Sequence, residues 1–118
     1  MARTPDGFLS LLSSNTTAAY QHYNTNLFVL AAFLLTPVKN RTRTSPPTSP
    51  AEGDLYIVAS GGGGSDGWGE RALDNDLAYF HNGLWSFLSP FAGLIKWVED
   101  ENKLLVWNES SWVEVGLA

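Results

Sequence analysis

From Leu27 to Leu35 the chain reads Leu-Phe-Val-Leu-Ala-Ala-Phe-Leu-Leu, nine apolar residues without a break. Leu27, Leu30, Ala31 and Leu34 fall at i, i+3, i+4 and i+7, the stripe of a helix. Phe28, Val29, Phe33 and Leu35 fill the remaining faces. Asn24-Thr25-Asn26 offers N-cap side chains and Thr36-Pro37 a stop, so the pattern predicts a helix over about 25–37. A helix apolar all round must be covered on every side. The expected cover is the same helix from other copies about a symmetry axis, with Leu27, Leu30, Ala31, Phe33 and Leu34 in contact. The alternative is a helix enclosed by its own monomer. Nine helical residues span roughly 14 Å, about half of a bilayer's hydrocarbon thickness, so no membrane span is expected. Upstream, Phe8, Leu9, Leu11 and Leu12 call for burial, and a short helical turn is expected over residues 16–22.

The period changes across Ser45-Pro46-Pro47-Thr48-Ser49-Pro50. Three prolines cannot continue a helix, and each pushes the residue before it toward extended geometry. Glu52-Gly53-Asp54 reads as a turn, and Leu55-Tyr56-Ile57-Val58 as a strand. Residues 1–44 are therefore expected to anchor and oligomerise, 45–54 to be a hinge, and 55–118 to be an antiparallel β domain.

That β part contains an internal repeat. Ala78-Tyr79-Phe80-His81-Asn82-Gly83-Leu84-Trp85-Ser86-Phe87-Leu88 aligns with Leu105-Val106-Trp107-Asn108-Glu109-Ser110-Ser111-Trp112-Val113-Glu114-Val115. Asn82-Gly83 is a strong hairpin signal, because both residues accept φ > 0. Such a turn sets Phe80 against Trp85 and Ala78 against Phe87. The second copy sets Trp107 against Trp112, across a poorer turn that calls for a longer loop. A further hairpin is expected around Glu99-Asp100-Glu101-Asn102. The fold expected is α+β, an N-terminal apolar helix followed by a small antiparallel meander of five or six strands in Trp-rich hairpins.

Composition narrows the function. The chain has 118 residues, one domain's length, with no cysteine and a formal charge of −5. Residues 1–50 hold four cations and one acid, net +3; residues 51–118 hold three cations and eleven acids, net −8. The acidic half argues against a nucleic-acid surface. Lys39, Arg41 and Arg43 read as a solvated, cation-stabilised helix end. The N-terminus lacks the basic and apolar regions of a signal peptide, and a soluble protein is expected.

No catalytic constellation is visible, and neither a metal nor a cofactor is expected. His22 and His81 match no common zinc spacing. Asp74 and Asp76 read as solvated turn residues rather than calcium ligands. Gly61-Gly62-Gly63-Gly64-Ser65 lacks the Lys-Ser/Thr pair and helix of a phosphate loop; it reads as a long flexible loop anchored by Trp68. All five tryptophans follow residue 67. Phe80, Trp85, Trp107 and Trp112 are expected in the core, whereas Trp68, Tyr79 and His81 are placed to touch a ligand or partner.

The order Gln21-His22, Thr25-Asn26, an apolar helix, Ser49-Pro50-Ala51-Glu52-Gly53-Asp54-Leu55-Tyr56-Ile57-Val58, a glycine loop ending in Trp68, Asn82-Gly83-Leu84-Trp85-Ser86-Phe87, Trp97-Val98 and Leu104-Leu105-Val106-Trp107-Asn108 before Trp112 resembles a domain of unknown function. That domain occurs in fibre and head-spike virion proteins of tailed phages and gene transfer agents. The resemblance implies a non-enzymatic structural subunit located on the virion, oligomeric with a trimer favoured, docked on other virion proteins. The family often carries charges in the helix where this chain is purely apolar. The second expectation is a carbohydrate-binding module for host surface polysaccharide.

Overall fold

In the computed structural model, residues 19–116 are described, with side chains from residue 24 onward. The apolar cluster Phe8–Leu12 lies outside the described residues, as does the start of the turn expected at 16–22. The chain divides into two compact units between Leu35 and Thr36.

In the first unit, an α-helix, α1, spans Ala19–Leu30 and continues as a π-helical segment over Ala31–Leu35. The expected helix of 25–37 thus begins earlier. Asn24, Thr25 and Asn26 are not caps but sit inside α1, with Asn24 and Thr25 exposed. The Asn24 and Thr25 side chains can point to water there, which removes most of the cost of polar residues inside a helix. The α-helix is consequently mixed in character, with Gln21, His22, Asn24, Thr25 and Asn26 in its sequence. Only its end and the π-helical segment are purely apolar. The helical run stops at Leu35, where Pro37 disfavours helical geometry for Thr36.

The second unit holds six strands, but not as one meander. The first sheet has the order β1 (Leu55–Ile57), β2 (Leu77–His81), β3 (Leu84–Leu88); the second has β4 (Ile95–Val98), β5 (Lys103–Trp107), β6 (Trp112–Glu114). Every strand pair is antiparallel. The ladder breaks after β3, where Pro90 has no N–H to donate and Gly93 turns the chain at φ 90°. The hairpin registers follow the sequence pattern. Phe80 pairs with Trp85, Ala78 with Phe87, and Trp107 with Trp112. Asn82 and Gly83 have φ 54° and 76°, both positive as a two-residue turn requires. The β5–β6 loop is longer, and the Asn108 side chain organises it by accepting from the N–H groups of Ser110 and Ser111 at 3.0 and 2.9 Å.

An extended segment, residues 38–43, stitches the two sheets. Val38 bridges Val98 in parallel, with Val38 N–H donating to Trp97 O and Glu99 N–H to Val38 O, both at 2.8 Å. On its other side Lys39 N–H donates to Leu55 O at 2.8 Å, Ile57 N–H to Asn40 O at 3.2 Å, and Ala59 N–H to Arg43 O at 3.1 Å. Lys39, Arg41 and Arg43 therefore do not end a helix. Arg41 instead makes a bidentate pair with Glu101, at 2.7 and 2.9 Å. Val38, Leu55, Val58, Leu77, Val98 and Leu105 are fully buried around this stitch. Burying a Val or Leu side chain contributes roughly 1.5–3 kcal/mol, so this one segment joins much of the core.

Candidate functional site

The helical residues expected at an interface divide by exposure. Leu34 and Leu35 are 68 % and 79 % exposed, and Leu27 is also exposed. Leu30 and Ala31 are half-buried. Phe33, expected in the contact set, is buried in the chain beside buried Ala32. The stripe was counted at about 3.6 residues per turn, and the wider π turn shifts the phase over just these residues. Leu35, outside the expected set, is the most exposed of them.

Trp68 and Tyr79 do not present a ligand surface. Trp68 is 5 % exposed and lies over the first sheet. Its ring centroid stands 4.9 Å from Trp85, 5.7 Å from Tyr56 and 6.4 Å from Phe87. The edge-on geometry against Trp85, at 87°, places the positive ring edge against the negative face. Its indole N–H donates to Arg43 O at 2.9 Å, tying this cluster to the stitching segment. Tyr79 is buried on the opposite face of β2, its ring 5.5 Å from that of His81. His81 is half-buried, and its Nε2 lies 2.8 Å from Ser86 Oγ. Burial pushes the His81 pKa down, against the opposing pull of Glu52. Trp85, one of the repeat aromatics expected in the core, packs against this Trp68 cluster. Trp112 is buried, but Phe80, Trp85 and Trp107 are only half-buried.

The glycine run is not a flexible linker. Asp74 accepts from Gly61 N–H at 3.0 Å and from Gly63 N–H at 2.8 Å through its two carboxylate oxygens. Gly64 bridges Gly69, and Trp68 N–H donates to Gly62 O at 2.8 Å. Two of the N–H groups that a phosphate would use thus hold the chain's own carboxylate. The turn motif works the same way. Glu52 accepts from Asn82 N–H at 2.8 Å and Gly83 N–H at 2.9 Å, clamping the β2–β3 turn. Asp54 accepts from Ala51 N–H at 2.9 Å and faces Lys39 at 3.7 Å. The residues Glu52-Gly53-Asp54 are thereby accounted for by turn architecture. Asp76, expected in solvent, is buried and accepts from Leu73 N–H and Ser89 Oγ; its burial pushes the carboxyl upward.

Glu52, Asp74 and Lys96 each make stability depend on pH, and Asp76, shifted upward, opposes the two exposed carboxylates on the acid side. Hydrogen bonds from Gly83 and then Asn82 hold Glu52 below its ordinary range, and those from Gly61 and then Gly63 do so for Asp74. A depressed carboxylate contributes stability above its unfolded pKa and loses it as pH falls through the folded pKa. Stability is expected to drop as pH falls below about 4, the unfolded carboxylate value. Lys96 is buried in β4, its Nζ donating to Thr36 O at 2.5 Å, and burial pushes its pKa down to about 8. Between about 8 and the ordinary lysine value the folded chain has released a proton that the unfolded chain keeps. Stability therefore rises with pH through that window. Urea midpoints across pH check both limbs; Lys96→Met should abolish the alkaline rise, and a rise that persisted in it would remove Lys96 as the cause.

Between the two sheets lies a cleft of about 510 Å³, lined among others by Arg41, Thr42, Ser60, Asn75, Glu101 and Trp112. Arg41 and Glu101 neutralise each other, and the Trp112 indole N–H is engaged by Asn75 O at 3.1 Å. Arg41, Glu101 and the Trp112 N–H of this wall are thus already paired within the chain. Among the described residues no group of three or more His, Asp or Glu side chains is placed to hold a metal. No helix among them is long and apolar enough to cross a membrane.

Among the described residues the fold is small and mostly β, two three-stranded antiparallel sheets preceded by one short helix. The chain belongs to the family described as Protein of unknown function (DUF2793), which matches residues 23–113, from within α1 to within β6. No curated protein matches the chain.

Proposed function

We propose that this protein is a structural subunit of a tailed-phage-type virion, a small fibre, spike or decoration component that assembles as an oligomer and docks on other virion proteins. The observation that supports it best is the run of exposed leucines, Leu27, Leu34 and Leu35, on the helical segment. Large aliphatic side chains left in water at one place mark an association surface. The virion assignment comes from the resemblance carried by Ser49–Val58 and the Trp hairpins. A trimer is the favoured state, since three helices about an axis cover one another's apolar faces. The function is mechanical: the β unit is rigidified by carboxylate clamps and the stitching segment, while the helical segment joins copies.

Sedimentation velocity on the full chain tests the assembly. Leu34→Asp should dissociate it without unfolding the β unit, because a carboxylate desolvated at an interface costs several kcal/mol. A wild-type chain that stayed monomeric at micromolar concentration would sink the proposal. Imaging of labelled subunits on intact particles tests the location.

A further inference from the structure

Both faces of the second sheet are largely apolar, and one of them is turned outward. Register places Ile95, Val106 and Val113 in one row across the three strands, and Trp97 beside Leu104 in the next. Val115 N–H donates to Leu104 O at 2.8 Å and extends that second row. All six side chains are apolar. Ile95 is 52 % exposed, and Trp97 and Val113 are each 41 % exposed. The opposite face buries Val98, Leu105, Trp112 and the charged Lys96. A one-sided antiparallel sheet ordinarily turns its polar residues to water and its apolar ones inward. Here β4 keeps the ammonium of Lys96 inside at the cost of a lowered pKa and sends Trp97 and Ile95 outward. Solvation alone does not produce that pattern, and a contact surface does.

We propose that this face, the Ile95–Val106–Val113 and Trp97–Leu104–Val115 rows, is a contact surface for a second copy of this chain. The inference rests on the oligomer reading above and supplies what that reading lacks. A stable interface uses about 20–30 residues a side, and the exposed leucines of the helical segment are far too few for that. The sheet face adds a flat aromatic and β-branched patch of the composition that interface centres favour. It carries no charge, so a second copy meets no like-charge penalty at its centre despite the chain's net −5. The exposed acids Glu99, Asp100 and Glu109 lie in the loops at its ends. Two acidic rims repel weakly across water, and added salt therefore tightens the assembly.

The test is sedimentation velocity on the full chain for wild type, Trp97→Glu, Val113→Glu and Leu34→Asp, with far-UV circular dichroism to confirm folding. Each sheet variant should move the assembly midpoint to at least about tenfold higher concentration. Should both stay within about twofold of wild type while Leu34→Asp dissociates, the sheet face makes no copy contact and the helical reading survives. Dissociation by the sheet variants with Leu34→Asp unchanged supports the face and removes the helix. A wild type monomeric throughout removes both, leaving the face to some other occupant. If a glutamate variant misfolds, Val113→Cys replaces it, since the chain has no cysteine of its own. Mild oxidation should then link two copies through residue 113, whereas exposed Leu73→Cys should stay unlinked; equal linking of both would overturn the proposal.

Discussion

Gly67→Ala is expected to destabilise the β unit by about 3 kcal/mol or more. A Cβ at Gly67 would stand 2.2 Å from Gly62 O, 2.7 Å from Thr44 O and 2.8 Å from Gly62 C. All three are backbone atoms, so no rotamer change relieves the clash. The loop must open away from residue 44, and Trp68, the next residue, must leave the sheet with it. Gly61→Ala is the control. Its Cβ would meet nothing within 4 Å, but its φ of 87° is left-handed. That costs an alanine about 1–2 kcal/mol and displaces no neighbour. Urea unfolding followed by tryptophan fluorescence ranks the two. Equal midpoints for both variants would mean that residues 62 and 67 do not approach each other as described.

The same loop shows where the sequence was legible and where it was not. The hairpin registers were readable because Asn82-Gly83 accepts positive φ twice, and a two-residue turn then sets every pairing beyond it. The glycine run was not. Gly61 and Gly64 need their freedom of φ, whereas Gly62, Gly63 and Gly67 are glycine because other backbone or side-chain atoms lie against them. Composition cannot separate those two uses from flexibility. The signal that was present is Asp74 downstream, a carboxylate able to clamp two glycine amides. Residues 38–43 were misread for another reason. Their partners are far away in the chain, Glu101 lying sixty positions after Arg41. A short extended segment bonded on both sides has no periodicity of its own. The helix start was misplaced because Asn and Thr are favoured as caps yet tolerated on a solvent face. The exposed row on the second sheet was visible as Ile95, Trp97, Leu104 and Val106, but alternation alone does not say which face is inside. Lys96 would conventionally be placed in water, and the fold buries it.

Trp68→Ala is the second large effect, with an expected cost of about 3–5 kcal/mol. The ring covers the face of the first sheet that bears Tyr56, Ala78 and Phe87, and it meets three aromatic rings at once. Its removal leaves a cavity that the short loop cannot refill, because Gly62, Gly63 and Gly67 are already in contact with their surroundings. It also removes the indole N–H from Arg43 O, loosening the stitching segment at its far end. Trp68→Phe separates the two losses: it keeps most of the ring and gives up the hydrogen bond, for about 1 kcal/mol. Trp97→Ala should cost less than Trp68→Ala, because the Trp97 ring is 41 % exposed against 5 % for Trp68. Near-UV circular dichroism adds a second readout, since the close edge-on pair of Trp68 and Trp85 gives a signal that Trp97 does not share. The order expected is therefore Trp68→Ala below both Trp68→Phe and Trp97→Ala. If Trp68→Ala kept full stability and instead abolished binding to a virion partner or a sugar, the ring would be a surface anchor, and the glycine loop a binding loop rather than a lid on the sheet.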